Sequence, residues 1–263
     1  MNEKQPIGLF DSGIGGTSIW KEVHHLLPNE STIYLSDSKN APYGEKSVEE
    51  ILQLSIKNTE LLLSKGCKLI IVACNTATTN AIDYLRKNYS VPFIGIEPAI
   101  KPAALYSKTG AVGVLATKGT LSSKLFEKTA AEFAKNTITI EQDGEGLVPL
   151  IEAGKLNSNE TNKLLIKYLT PMLPHNLDYL VLGCTHYPYL IPQIQKIVGK
   201  NVTIIDSGKA VAKQTKAILE KYNLLSDSSI NINFQFYTNG SLAILKTILS
   251  DVKDEMATKN LDF

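Results

Sequence analysis

The chain has 263 residues, 43% of them hydrophobic, and 27 Lys and Arg against 26 Asp and Glu leave a net charge of +1. That length holds one large α/β domain or two small ones, and the even charge balance offers no basic stripe for nucleic acid. The opening MNEKQPIGLF has no basic-then-apolar leader and no apolar run approaches bilayer length, so the expected setting is the cytoplasm, with neither a membrane nor nucleic acid as partner.

In chain order, the first strand candidate is PIGLF (6–10), which runs straight into the glycine-rich DSGIGGTS (11–18). TIYLSD (32–37) follows, then SVEEILQLSIKNTELLLSKG (47–66), whose apolar residues recur at helical spacing. KLIIVA (68–73) stops at Cys74 and the polar Asn75 and Thr76. PFIGIE (92–97), AVGVLA (111–116), TITIEQ (137–142), DYLVLG (178–183), VTIID (202–206) and INFQFY (232–237) complete the strand series. DYLVLG again ends on a cysteine, Cys184, followed by Thr185 and His186. Strands alternating with helical stretches read as βαβ units and a mainly parallel sheet. Their apolar character on both faces fits strands covered by helices on either side.

IGLFDSGIGGTS (7–18) resembles VGVLATKGTLSS (112–123), and each is followed by a strand-end cysteine roughly 60 to 70 residues later. The expected fold class is therefore α/β, with two pseudo-symmetric lobes and a site in the cleft between them. Each lobe would be a mainly parallel sheet flanked by helices. The crossing is placed at GIEPAIKPA and the return near IIDSGKA, giving a first lobe of 1–97 plus 208–263 and a second of 98–207. One larger doubly wound sheet is the alternative.

Ligands of open parallel sheets bind beyond the carboxyl ends of the strands. Polar clusters fall there: Asp11-Ser12-Gly13, Asp37 with Pro42-Tyr43-Gly44, Cys74-Asn75-Thr76, Thr117-Lys118-Gly119-Thr120 and Cys184-Thr185-His186. Helix N-termini at these points favour anions and draw a thiol toward thiolate. DSGIGGTS fails the dinucleotide fingerprint at Ser18 and lacks the Gly-Lys-Ser/Thr of a P-loop; it reads as a tight turn or as a carboxylate or phosphate cradle with Asp11 at its lip. Arg86 is the only arginine, so a bidentate clamp on a carboxylate is not on offer unless Arg86 reaches the site.

The three cysteines, Cys67, Cys74 and Cys184, form no C-x-x-C pair, which speaks against a disulfide framework or a structural zinc site. Cys67 precedes its strand and reads as a small buried hydrophobe. Cys74, Cys184 and His186 leave three chemistries open: a metal site lacking a fourth ligand, a Cys–His hydrolase with Asn75 as orienter, or proton transfer between two thiols on either face of one carbon. The last uses both cysteines.

The motifs FDSGIGG, SDSKNAPYGEKS, VACNTATT, GIEPA, VGVLATKGT, LVPLIEAG and VLGCTHYP together resemble the glutamate racemases of the aspartate/glutamate racemase superfamily, in order from Phe10 to Pro188. Aspartate racemases usually place an acid where this chain has His186, which favours glutamate. The resemblance implies cofactor-independent, metal-free interconversion of L- and D-glutamate, supplying the D-isomer for peptidoglycan, in a homodimer. It implies proton-transferring roles for Cys74 (D-isomer) and Cys184 (L-isomer), with Asp11 assisting the first and His186 the second. It carries substrate contacts to Asp11, Ser12, Tyr43, Gly44, Asn75, Thr76, Thr117, Thr185 and His186, and supporting roles to Asp37 and Glu152. Where many members have Cys-Pro before VPLIE, this chain reads EQDGEGLVPLIE. Aspartate racemase and a non-catalytic amino-acid binding protein are the competing readings.

Overall fold

The computed structural model describes residues 2–134, 137–226 and 232–263. Among these residues ten strands form two sheets, with every pairing parallel. The first sheet contains β1 (Ile7–Asp11), β2 (Thr32–Ser36), β3 (Leu69–Val72), β4 (Phe93–Gly95), β9 (Phe234–Thr238) and β10 (Met256–Asn260), in the order β10-β9-β2-β1-β3-β4. The second contains β5 (Ala111–Ala116), β6 (Ile138–Asp143), β7 (Tyr179–Gly183) and β8 (Thr203–Ile205), in the order β6-β5-β7-β8. Strands 2-1-3-4 of the first sheet therefore repeat as 6-5-7-8 in the second. The internal repeat read from the sequence is a repeat of topology, with β1 matching β5 and β3 matching β7.

β1, β2, β3 and β5 are buried along their whole length, as parallel strands covered by helices on both faces must be. The helix Val48–Ser64 starts where a capping box starts it: Ser47 Oγ accepts the Glu50 N–H at 3.2 Å, and the Glu50 carboxylate accepts the Ser47 N–H at 3.0 Å. It buries Ile51, Ser55, Asn58, Thr59 and Leu62, one face of a 3.6-residue period. Leu9, Ile71, Leu147, Ile151, Leu182 and Tyr187 belong to one apolar cluster, so the core runs from one lobe into the other. Truncating such a leucine to alanine costs roughly 2–5 kcal/mol. Cys67 packs under Gly8, where an added Cβ would lie 3.0 Å from its sulfur, and burial pushes its thiol up to about 12.

Two features were not read from the sequence. Met256–Asn260 forms an edge strand that the sequence does not announce, because it lacks the apolar run of the buried strands and is half-buried or exposed throughout. His24 is half-buried and stacks on Trp20 with ring centroids 4.9 Å apart. Among the described residues no helix is long and apolar enough to cross a membrane.

Register places the chemistry. Phe10 pairs with Val72 and Ala116 with Gly183. Asp11 thus ends one strand while Cys74 lies just past its neighbour. In the second sheet Thr117 and Cys184 follow adjacent strand ends in the same way.

Candidate active site

Both strand-end cysteines open on one cavity. Ser12, Tyr43, Gly44, Cys74, Asn75, Thr76, Thr117, Cys184, Thr185 and His186 line it, together with Pro42, Val148 and Gly183. The free space within it is about 10 Å³, room for about one water, so its walls lie close together in this structure. A larger cleft of about 660 Å³, open to solvent, contains neither cysteine but shares Pro42, Gly44, Thr117 and Val148 with the cavity and adjoins it. Arg86 lines neither space; its guanidinium reaches the Phe93 carbonyl at 3.5 Å.

Cys74 is the N-cap of the helix Asn75–Asn88, its sulfur accepting the Ala77 N–H at 3.4 Å and lying 3.7 Å from Ser12 Oγ. These contacts favour a thiolate, as the sequence led one to expect of a helix N-terminus. Burial and the neighbouring Asp11 carboxylate outweigh them and push the Cys74 thiol well above its ordinary range. Asn75 and Thr76 begin the helix, so their N–H groups have no intrahelical acceptor. Asn75 Nδ2 is buried without a hydrogen-bond partner, a donor facing the space where a ligand would sit.

Cys184 has a different escort. Its sulfur lies 3.8 Å from His186 Nδ1, and His186 Nε2 lies 2.6 Å from Glu152 Oε1. Asp11 Oδ2 is 4.0 Å from His186 Nδ1. Burial opposes the imidazolium, but the bonds to Cys184 and Glu152 and the charge of Asp11 prevail, raising the His186 pKa well above that of free histidine. Burial likewise works against a charged Glu152; the His186 bond and charge and the Ile14 N–H hold it below the usual carboxylate range. The Gly15 N–H also points at Nε2, at 3.2 Å, but an Nε2–H that donates to Glu152 cannot accept from Gly15. The shorter, charge-assisted contact with Glu152 sets the protonation.

The glycine-rich loop is not a cradle for a ligand anion. Its N–H groups serve the protein's own carboxylates: Gly13 and Gly16 donate to Asp11 at 3.3 and 2.8 Å, and Ile14 to Glu152 at 2.7 Å. Its glycines leave room for side chains from the second lobe. A Cβ on Gly13 would fall 2.0 Å from Glu152 Oε1, and one on Gly15 would fall 2.2 Å from His186 Nδ1. Asp11 itself is fully buried one layer behind the cavity wall, holding Thr185 Oγ1 at 3.3 Å and Ser12 Oγ at 3.5 Å. Burial is the main cause that lifts its carboxyl above the usual range.

Asp37 also stands back from the cavity. It accepts the Tyr43 hydroxyl at 2.5 Å and the Asn40 and Asn239 amides at 2.8 and 2.5 Å. Tyr43 Oη in turn accepts from Asn58 Nδ2 at 3.1 Å, so its phenol is fully committed and it faces the cavity as ring and backbone. Val148 and Gly183 lie on the wall without having been singled out in the sequence. They fall inside the motifs LVPLIEAG and VLGCTHYP, which is the only signal they gave.

Two thiols from two topologically equivalent strand ends meet at one small cavity, backed by an imidazole and carboxylates. A model of the family described as Asp/Glu/hydantoin racemase matches residues 15–215. The glutamate racemase of Herpetosiphon aurantiacus is 46% identical over 91% of this chain and 94% of its own length. A glutamate racemase isoform of Bacillus anthracis has a TM-score of 0.89 at 31% identity, covering 100% of this chain and 99% of that one. The Escherichia coli glutamate racemase, in complex with L-glutamate and the activator UDP-MurNAc-Ala, has a TM-score of 0.85 at 32% identity over 98% of both chains. The chain belongs to the Asp/Glu/hydantoin racemase family, and within it to the glutamate racemases.

Proposed function

We propose that the protein interconverts L- and D-glutamate by proton transfer between Cys74 and Cys184, without pyridoxal phosphate or a metal. The observation that carries this reading is the pair of thiols, one from each repeated half, opening on one cavity. Similarity to glutamate racemases, one of them bound to L-glutamate, supports the choice of substrate.

In the L-to-D direction the Cys184 thiolate takes the α-proton and the Cys74 thiol delivers its own to the opposite face. The reverse direction exchanges the roles. His186, cationic and braced by Glu152, stands 3.8 Å from the Cys184 sulfur as the charge that faces it. On the other side Asp11 receives the Cys74 proton, and the incoming α-ammonium, drawn toward the Asp11 carboxylate, offsets the charge that burial disfavours. The carbanion gains resonance with the α-carboxylate, which neutral donors stabilise: Asn75 Nδ2, the first N–H groups of its helix, and the hydroxyls of Ser12, Thr76, Thr117 and Thr185. Asp37 holds Tyr43, and with it the Tyr43-Gly44 turn, against the cavity.

In this reading the first lobe comprises 1–97 with 208–263 and the second 98–207, and their closure excludes water. The enzyme works as a cytoplasmic homodimer that supplies D-glutamate to peptidoglycan. The direct test is chirality-resolved turnover of glutamate and aspartate by the purified protein. Glutamate should racemise from both enantiomers and aspartate far more slowly. Equal or faster aspartate turnover assigns another substrate, and an unchanged amino acid contradicts the reading.

A further inference from the structure

Three hydroxyls meet where the lobes touch. Thr76 stands at the start of a helix of the first lobe, while Thr117 and Thr120 belong to the turn that follows β5 in the second. Thr76 Oγ1 lies 3.0 Å from Thr117 Oγ1 and 3.3 Å from Thr120 Oγ1, and the last two are 3.1 Å apart. Thr76 and Thr117 line the cavity. Thr120 is fully buried and lines neither the cavity nor the outer cleft, so it is not placed to touch a ligand.

Counting protons shows what it can do. Each hydroxyl brings one proton and can accept as well. Alone, the three close a ring in which each oxygen donates once and accepts once. A carboxylate entering the cavity draws the protons of both Thr76 and Thr117 toward itself. If both turn inward, their oxygens, 3.0 Å apart, confront each other with lone pairs only. Thr120 has the one proton the ligand does not draw on, and its oxygen stands 3.3 and 3.1 Å from the two that have lost their donor. Its O–H can point between them and polarise both.

We propose that Thr120 is a positioning residue that frees the Thr76 and Thr117 protons for a substrate carboxylate; this rests on the reading of the cavity as a glutamate site. Two glycines permit the close approach. A Cβ on Gly119 would lie 3.0 Å from Thr76 Cγ2, and one on Gly44 would lie 2.9 Å from Thr117 Cβ, so a side chain at either position would part the threonines.

The bond from Thr120 acts on the bound ligand in ground and transition states alike, so its loss belongs in KM. Thr120→Val and Thr120→Ala should each raise KM for glutamate about tenfold with kcat changed less than about threefold, the size of one hydrogen bond. Thr120→Ser, which keeps the hydroxyl, should stay within about twofold of the unmodified enzyme. In a Thr117→Val background, adding Thr120→Val should raise KM little further, because the proton it releases is gone. Thermal midpoints measured alongside separate these effects from misfolding, and if the valine variant does not fold, the alanine and serine variants decide. An unchanged KM in Thr120→Ala, a serine variant as impaired as the alanine one, or a loss confined to kcat overturns the proposal. If the unmodified enzyme racemises glutamate while the threonine variants match it, only the role of Thr120 fails; if it leaves glutamate unchanged, the functional reading fails first.

Discussion

The two cysteines occupy equivalent places in a repeated topology, yet their surroundings are chemically unequal. Cys74 caps a fourteen-residue helix, takes an N–H bond from Ala77, and has the Asp11 carboxylate beside it. Cys184 precedes a short 3-10 turn and has a braced imidazole 3.8 Å away. One thiol is therefore pressed toward its neutral form by burial and an anion, while the other stands next to a cation. The fold supplies the symmetry needed to approach one carbon from two lobes. The asymmetry lies in the second layer, where Glu152 and Asp11 both face His186.

The largest expected effects break the pair itself. Cys74→Ser and Cys184→Ser should each lower racemisation by about a thousandfold or more, since a serine is a far weaker acid and base. The two variants should still differ. With an amino acid carrying a β leaving group, Cys184→Ser should eliminate from the D-enantiomer only, and Cys74→Ser from the L-enantiomer only. Loss of both eliminations in either variant would erase the distinction between the two sides.

Removing the cation comes next. His186→Asn should cost about a hundredfold, the lower end for acid–base assistance. Because enantiomers are equal in energy, kcat/KM must fall equally in both directions. The inequality should appear in kcat and in the α-deuterium isotope effect, both more affected when L-glutamate is the substrate. An identical isotope effect from both enantiomers would place His186 between the thiols rather than with Cys184.

Smaller effects sharpen the second layer. Tyr43→Phe removes the bond to Asp37 without touching the cavity wall, and should raise KM by no more than about fivefold. A loss as large as that of His186→Asn would make the phenol a chemical participant. The imidazolium also links stability to pH. Its pKa is raised in the folded state, so its contribution is complete below the unfolded value, about 6.5, and is lost as pH rises through the folded value. The gap in thermal midpoint between the unmodified protein and His186→Asn should thus be widest below about pH 6.5 and shrink as pH rises above it. A gap that grows with pH would mean His186 is held neutral.

Much of this was legible in the sequence, for physical reasons that differ from one element to the next. Buried parallel strands such as Leu69–Val72 are apolar on both faces and stand out as short β-branched runs. Met256–Asn260 does not, because a largely exposed edge strand carries no apolar run. Cys74 and Cys184 drew notice because the same strand-to-polar context occurs twice. What sequence could not give was long-range proximity. Ile14 and Glu152 are bonded at 2.7 Å across the lobes, so the loop DSGIGGTS, which read as a ligand cradle, receives the protein's own carboxylates. The direction of the Cys74 shift was missed for the same cause: a helix N-terminus can be read along the chain, but burial beside Asp11 cannot. Thr120 stood out only as a member of the cluster after β5, not as a partner of Thr76, which lies in the other lobe.

The most direct test of two opposed thiols is racemisation of unlabelled L-glutamate in heavy water, stopped early, with the deuterium content of each enantiomer measured. The proton taken by Cys184 and the one delivered by Cys74 are different protons. D-glutamate should therefore appear fully deuterated at its α-carbon, while the remaining L-glutamate stays protiated. D-glutamate that retains the original proton would mean a single base serves both faces, and would contradict the account.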